Sequence, residues 1–134
     1  MTSRILAAVA LVLLTAVGAS AHHAAAGIDR TKTVTLKGTL KQFSWSNPHS
    51  WMEIEVLNEQ GKVVTWTIEM TAPAYLVRAG WKASTIKPGD EVSVTLRPLR
   101  NGDPGGLFVS VTLSDGRTLT ERPVLAAPAP PPAQ

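Results

Sequence analysis

The sequence of 134 residues has no cysteine and few aromatic residues, which make up 5% of the chain. Without thiols the protein has no disulfide bond, no thiol nucleophile, no zinc–thiolate site and no cysteine for lipoprotein acylation. Charge is also sparse: 13 lysines and arginines stand against 10 aspartates and glutamates, which gives a formal net charge of +3. This small excess argues against nucleic acid as a partner.

The sequence also lacks an apolar run long enough to cross a membrane. The run at 5–17 has about 13 residues, whereas a spanning helix needs roughly 20. Arg4 precedes this run, and the small residues Ala19 and Ala21 follow it. A cation, a short apolar core and a small-x-small end form a secretory signal peptide. We therefore predict that residues 1–21 are a cleaved signal and that the protein is periplasmic; a membrane anchor is the competing interpretation.

Composition divides the remaining chain into one domain and a tail. Residues 122–134 are rich in proline and alanine and show no periodicity. We expect an extended, disordered tail there. Residues 22–121 have a comfortable length for a single domain with one core. We expect this domain to begin with an N-terminal arm of small residues and to be a monomer.

Alternating apolar and polar residues predict five strands. In the first run the inward phase changes from even to odd numbers before Phe43, as a β-bulge produces. Between the third and fourth runs we expect a helix that has Thr71 as its N-cap and ends at Gly80. The predicted inward residues are Val34, Leu36 and Leu40; Met52, Ile54 and Val56; Val64, Trp66, Ile68 and Met70; Val92, Val94 and Leu96; and Leu107, Val109, Val111 and Leu113.

Three strands, a helix and two strands follow one another in the order of the OB-fold. We therefore predict an all-β fold with one short helix, built as a five-stranded OB-fold-like barrel. Closure hides the edges that a flat five-stranded sheet exposes. The alternative is a small open β-sandwich. In the barrel, Trp45 and Trp81 are expected to cover the ends.

The three histidines are the candidate metal ligands: His22 and His23 at the predicted mature N-terminus, and His49 in a turn between the first two strands. Cleavage after Ala21 makes His22 the first residue, whose α-amine and imidazole together chelate Cu(II). Cleavage after Ala19 instead places His22 third from the amine, which is another square-planar Cu(II) site. His23 or His49 adds a nitrogen to the tetragonal set that Cu(II) prefers. An arm without a ligand role, and an imidazole that only hydrogen-bonds its loop, are the competing interpretations.

No residue pattern points to catalysis, so we predict that the protein is not an enzyme; Cu(II) is the only cofactor suggested. The acidic residues Glu53, Glu55 and Glu69 fall on outward strand positions, where solvated faces are usual.

The second hypothesis is a non-metal binding module of the cell envelope, for a glycan, a small anion or a protein. Its candidate ligand-binding residues lie beside the loops that flank the ligand face of an OB-fold. They are Trp51, Arg97 and Arg100.

Several motifs resemble one family of small exported bacterial proteins that is known only as a domain of unknown function. They are HHAAAGID, VTLKGTL, WSNPHSW, AGW before KPGD, and PGGLFVSVTL, and they cover roughly residues 22–118. The resemblance implies a periplasmic protein and supplies no mechanism. Members usually carry a large apolar or aromatic residue soon after the histidine pair. This chain has alanines at 24–26 instead, so packing of the arm through such a side chain is not expected.

The signal prediction is tested by the mass of the exported protein. Because an A-S-A triplet precedes His22, the intact mass of the periplasmic form should correspond to residues 22–134. Mass spectrometry of the periplasmic fraction measures it. A mass for residues 20–134 would identify the alternative cleavage site, and a full-length, membrane-retained product would show that the segment is an anchor.

Overall fold

The computed structural model describes residues 27–122, so the predicted signal peptide, His22 and His23, and the tail from 123 onward lie outside the described residues. The described chain forms six strands and one short helix. In chain order these are β1 (Val34–Ser44), β2 (Trp51–Leu57), β3 (Val63–Glu69), α1 (Pro73–Arg78), β4 (Glu91–Pro98), β5 (Gly105–Leu113) and β6 (Thr118–Thr120). No helix within this range combines the length and the apolar character that crossing a membrane requires.

The first five strands close into a barrel. β1 pairs antiparallel with β2 and β4, β2 pairs with β3, and β4 pairs with β5. The ring is completed by β3 and β5, which run parallel where Thr67 to Glu69 face Gly105 to Leu107. The predicted five-stranded barrel is therefore confirmed. The open β-sandwich is excluded because β3 and β5 are paired.

Two adjacent glycines permit this closure. A Cβ atom on Gly106 would collide with the carbonyl oxygen of Arg97 and the side chain of Leu96. A Cβ atom on Gly105 would lie 3.0 Å from the carbonyl oxygen of Thr67. The start of β5 therefore lies close to both neighbouring strands because these two positions have no side chain.

The sixth strand was not predicted from the sequence. β6 pairs with β5 beside the ring, at the end where β3 stops. It has three residues, too few to show an alternation of apolar and polar side chains. The turn at 114–117 that precedes it has Gly116 at a φ of 85°.

The bulge predicted in β1 is present. Leu40 pairs with Ile54 and Gln42 pairs with Glu53, so Lys41 is the extra residue. An extra residue on one strand moves the following side chains to the opposite phase. The change from even to odd inward positions that the sequence shows is therefore a real change of register.

A second bulge, in β5, was missed. Leu96 pairs with Phe108 while Thr95 pairs with Ser110, which leaves Val109 as the extra residue. Phe108 is buried in the core, with 4% of its surface exposed. Residue 108 therefore points inward, although the sequence alternation assigned the inward positions to odd numbers.

The predicted inward positions of β5 are thus half wrong. Leu107 and Val109 are half-buried and do not belong to the core cluster, whereas Val111 is fully buried and Leu113 packs against the core. The physical reason is the bulge at Val109: the inward residues of β5 have even numbers before it and odd numbers after it. Leu107 and Val109 point outward but are apolar, so together with Val111 and Leu113 they form one continuous alternation in the sequence.

The barrel interior is filled mainly by aliphatic side chains, with two buried aromatic rings. Trp81, which was predicted to cover an end of the barrel, is buried in the interior with 1% of its surface exposed. The centroid of its ring lies 5.9 Å from that of Phe43 and 5.8 Å from that of Phe108. Trp66, which was predicted to lie in the core, is only half-buried and packs against the buried cluster, and so does Trp45. The buried cluster contains Leu40, Met52, Ile54, Ile68, Met70, Leu76, Trp81, Ile86, Val92, Val94, Leu96, Phe108 and Val111.

The helix begins one residue later than the sequence suggested. Its N-cap is Ala72, which provides no side-chain hydrogen bond, and Pro73 occupies the first turn. Thr71 is therefore not the cap; its backbone N–H donates to the Glu121 carboxylate at 2.5 Å. The predicted end is confirmed, because Gly80 has a φ of 89° in the left-handed region.

The β5 bulge predicts losses of stability of very different size at two neighbouring residues. Phe108→Ala removes a buried ring from the core and should lower the free energy of unfolding by about 3–5 kcal/mol. Val109→Ala removes two methyl groups from the outer side of the sheet and should lower it by less than about 1 kcal/mol. Urea denaturation of both variants measures the difference. Equal losses, or a larger loss at Val109, would mean that β5 has no bulge.

Candidate functional site

His49 lies in the β1–β2 loop and is held there by hydrogen bonds on both sides. Its carbonyl oxygen accepts from the Ser46 hydroxyl at 2.8 Å. The next residue, Ser50, continues the β2–β3 ladder: its N–H donates to Thr71 O at 3.1 Å, and its carbonyl oxygen accepts from Met70 N–H at 2.9 Å. The loop therefore presents the imidazole from a fixed backbone, directly beyond the end of β3.

The imidazole of His49 is oriented by a carboxylate. Its Nδ1 is hydrogen-bonded to Glu69 Oε1. An ionised carboxylate only accepts hydrogen bonds, so this contact places a proton on Nδ1. The side chain of Glu69 is 14% exposed, whereas that of His49 is 49% exposed. When the imidazole is neutral, its Nε2 is thus a free lone-pair donor on an exposed ring.

A second carboxylate approaches the same place from the end of β6. Glu121 accepts the backbone N–H of Thr71 and is partly buried. Burial raises the pKa of Glu121 above 4.5, and the negative charge of Glu69 adds to this effect. The hydrogen bond from Thr71 and the nearby Arg122 and His49 act in the opposite direction. His49 is therefore bordered by two acidic groups, of which one is closely paired with it.

Cross-strand pairing places two of the predicted ligand residues on one line. Trp51 pairs with Glu69, Glu69 with Leu107, and Leu107 with Arg97. Residues directly opposite one another in a sheet share a face, and neighbouring strands are about 4.8 Å apart. These four residues, which we call the outer row, therefore lie side by side across β2, β3, β5 and β4.

The two predicted arginines have different surroundings. Arg97 belongs to the outer row, and its buried Nε has no hydrogen-bond partner among the described residues. Arg100 instead holds the N-terminal arm: its Nε donates to the carbonyl oxygen of Ile28 at 3.1 Å, and its backbone N–H donates to that of Gly27 at 2.8 Å. The contacts thus assign Arg97 to the outer face and Arg100 to the anchoring of the arm.

The described residues alone do not form a metal centre. Between residues 27 and 122, no three histidine, aspartate or glutamate side chains are grouped closely enough to hold a metal ion. The other two predicted ligands, His22 and His23, lie outside the described residues.

Sequence reasoning missed both acidic residues near His49. Glu69 was assigned to a solvated face because it falls on an outward strand position, and it is 20 residues from His49 in the sequence. A usable signal was present in the turn at 58–61, because a hairpin turn fixes the register of its strands. That register places Glu69 opposite Trp51, two residues after the histidine. Glu121 had no such signal, because β6 was not predicted.

The raised pKa of Glu121 predicts how its replacement changes stability. The folded protein binds the proton more tightly than the unfolded chain, so the carboxylate makes stability fall as the pH rises above about 4.5 towards the folded-state pKa. Glu121→Gln keeps an acceptor for Thr71 N–H and has no charge to bury. The variant should be more stable than the wild type at pH 7, and this advantage should shrink at pH 4.5.

Urea denaturation at the two pH values measures the effect, with the exposed Glu59→Gln as the matched control. A Glu121→Gln variant that is less stable than the wild type at pH 7 would show that the charged form is the favoured one in the folded protein.

Comparison with known proteins adds a family to this geometry. No curated protein and no solved structure matches the chain. A model described as a family of unknown function, DUF6152, matches residues 9–109. The match includes all three histidines, Glu69 and the whole outer row, but not Glu121. Because it covers most of the sequence, the chain belongs to the DUF6152 family.

Proposed function

We propose that the protein is exported to the periplasm, where it binds one Cu(II) ion and does not act as an enzyme. The signal-like N-terminus supports the location, and the histidine content supports the ligand. The observation that carries the proposal is the hydrogen bond between His49 and Glu69. Metal-binding histidines usually donate their second ring N–H to a carboxylate, which fixes the ring and the tautomer. His49 and Glu69 have this arrangement.

The ligand set combines His49 with the N-terminal arm. When cleavage follows Ala21, the α-amine and imidazole of His22 supply two nitrogens. His23 is available for a third, and Nε2 of His49 completes a nitrogen-rich set. Cu(II) prefers such tetragonal nitrogen coordination, and a neutral imidazole is one of its commonest ligands. The barrel would contribute an oriented ligand, and the arm would contribute the chelating terminus.

The position of the arm on the barrel determines whether its histidines reach His49. Ile28 forms a bridge with Leu99, and Leu99 N–H donates to Gly105 O at 3.1 Å. Gly105 pairs with Thr67, which is two residues before Glu69. Three strand spacings and two residues along β3 therefore separate Ile28 from Glu69, which corresponds to about 16 Å on the sheet surface.

The arm spans this separation together with its side chains. Gly27 is also fixed, because its carbonyl oxygen accepts the N–H of Arg100 at 2.8 Å. Four residues connect Gly27 back to His23, and an extended chain of that length spans about 14 Å. The side chains of His23, Glu69 and His49 extend the reach further. Covalent geometry thus allows the arm to bring its histidines to the imidazole that Glu69 orients.

The proposal predicts a copper complex that depends on the folded barrel. The mature protein should bind one Cu(II), with the electron paramagnetic resonance spectrum of a tetragonal, nitrogen-rich site. His49→Ala should weaken binding at least about tenfold, and Glu69→Gln should weaken it by about 10–100-fold through loss of imidazole orientation. Because protonated imidazole does not bind metal, affinity should decrease below about pH 6. Isothermal titration measures each affinity.

Two controls separate this site from a simple copper-binding terminus. The exposed Glu91→Gln, a matched carboxylate loss, should leave the affinity unchanged. Three extra residues before His22 should abolish tight binding, because both His22 and His23 then lie beyond the third position from the α-amine. If a short peptide beginning at His22 binds Cu(II) as tightly as the whole protein, the barrel contributes nothing and the proposal is wrong.

A further inference from the structure

Trp51 differs from the other three tryptophans in the direction of its side chain. Trp81 is in the buried cluster, and Trp45 and Trp66 pack against it. Trp51 is half-buried but is absent from the cluster and from the side chains that pack on it. Its cross-strand partners are Ser44 and Glu69, both on the outer side of the sheet. The indole therefore lies on the outer face of the barrel.

Hydrogen-bonding groups surround this indole on the same face. Glu69 is beside it on β3, while Glu53 and its partner Thr67 form the next outward pair along the strands. Pairs two residues apart are separated by about 6.6 Å and neighbouring strands by about 4.8 Å. One aromatic ring and three oxygen-bearing side chains thus occupy an area comparable with that of one sugar ring.

Donors border the same area. Lys41 Nζ lies 3.5 Å from the Glu53 carboxylate, at the β1 bulge. Arg97, at the far end of the outer row, has no carboxylate within 4.0 Å in the part of the chain that the structure describes. The face therefore presents acceptors beside the indole and cationic donors at its borders.

We propose that this outer face binds a neutral, hydroxyl-rich saccharide, with the indole of Trp51 stacked against the apolar face of a sugar ring. The carboxylates of Glu53 and Glu69 accept hydrogen bonds from sugar hydroxyls, and charged acceptors form the stronger type of hydrogen bond. Arg97 donates to oxygen atoms of an adjacent sugar. This site shares Glu69 with the proposed copper site, but it needs neither a metal nor the N-terminal arm.

The charge and polarity of the face favour a saccharide over other ligands. Glu53, Glu55 and Glu69 share the outward phase of β2 and β3, so a phosphate or polyanion would be repelled. A contiguous exposed apolar patch would favour a protein partner. The large apolar side chains that are most exposed lie elsewhere, at the β2–β3 turn and on α1. They are Leu57, Val63, Tyr75 and Val77.

The test uses the exported mature protein in EDTA, with neutral tetrasaccharides of glucose and of N-acetylglucosamine as probes. At least one should bind, and the indole N–H resonance of Trp51, assigned with Trp51→Phe, should shift in the wild-type spectrum. Trp51→Ala should weaken binding by about tenfold or more, because an aromatic stacking surface is lost. Trp51→Phe should retain part of the affinity. Tetragalacturonate, an anionic saccharide, should bind more weakly than the neutral probes.

The matched control is Tyr75→Ala, which removes an exposed aromatic ring from α1 and should leave saccharide affinity unchanged. The wild-type spectrum localises binding even if Trp51→Ala does not fold. The proposal is overturned if no neutral probe binds up to about 10 mM, or if the Trp51 indole resonance does not respond. Tighter binding of the anionic probe would also overturn it. Because the saccharide titrations are made in EDTA and need no bound metal, this test and the copper test can fail separately.

Discussion

The parallel pairing of β3 with β5 is the constraint on which the rest of the structure depends. It closes the barrel, and Gly105 permits it, because a Cβ atom there would lie only 3.0 Å from the carbonyl oxygen of Thr67 on β3. The same pairing makes Glu69 a neighbour of Leu107, and thereby places residues of β2 and β4 on one continuous outer row. The surface that carries the functional proposals is thus a direct consequence of closure.

The end of β3 brings together the contacts on which the copper proposal rests. Glu69 orients His49 across the β1–β2 loop, and the loop itself is fixed by the ladder between Ser50 and the residues after β3. Glu121 attaches the end of β6 to the same place through Thr71. A half-exposed imidazole with one nitrogen already engaged is suited to bind a ligand through the other. The outer row next to it includes two charged side chains, those of Glu69 and Arg97, and lies outside the apolar core.

The strand order and the first bulge were predictable because they depend on local patterns. The phase change before Phe43 records the bulge directly in the sequence, since every following inward side chain is displaced by one position. The second bulge left no such trace. Leu107 and Val109 are outward yet apolar, and they continue the alternation of Val111 and Leu113 without interruption. A pattern of hydrophobicity indicates burial only where outward residues are polar.

The sequence by itself determined the absence of thiol chemistry, the weak net charge, the number of long strands and the position of the helix between the third and fourth. These properties follow from composition and from periodicity within single segments. Only the tertiary structure decided which strands meet at the closure, that β6 extends the sheet, and that Glu69 and Glu121 approach His49. Those contacts join residues 20 or more positions apart. Their partners are selected by strand register and by packing against the core, which no single segment of the sequence specifies.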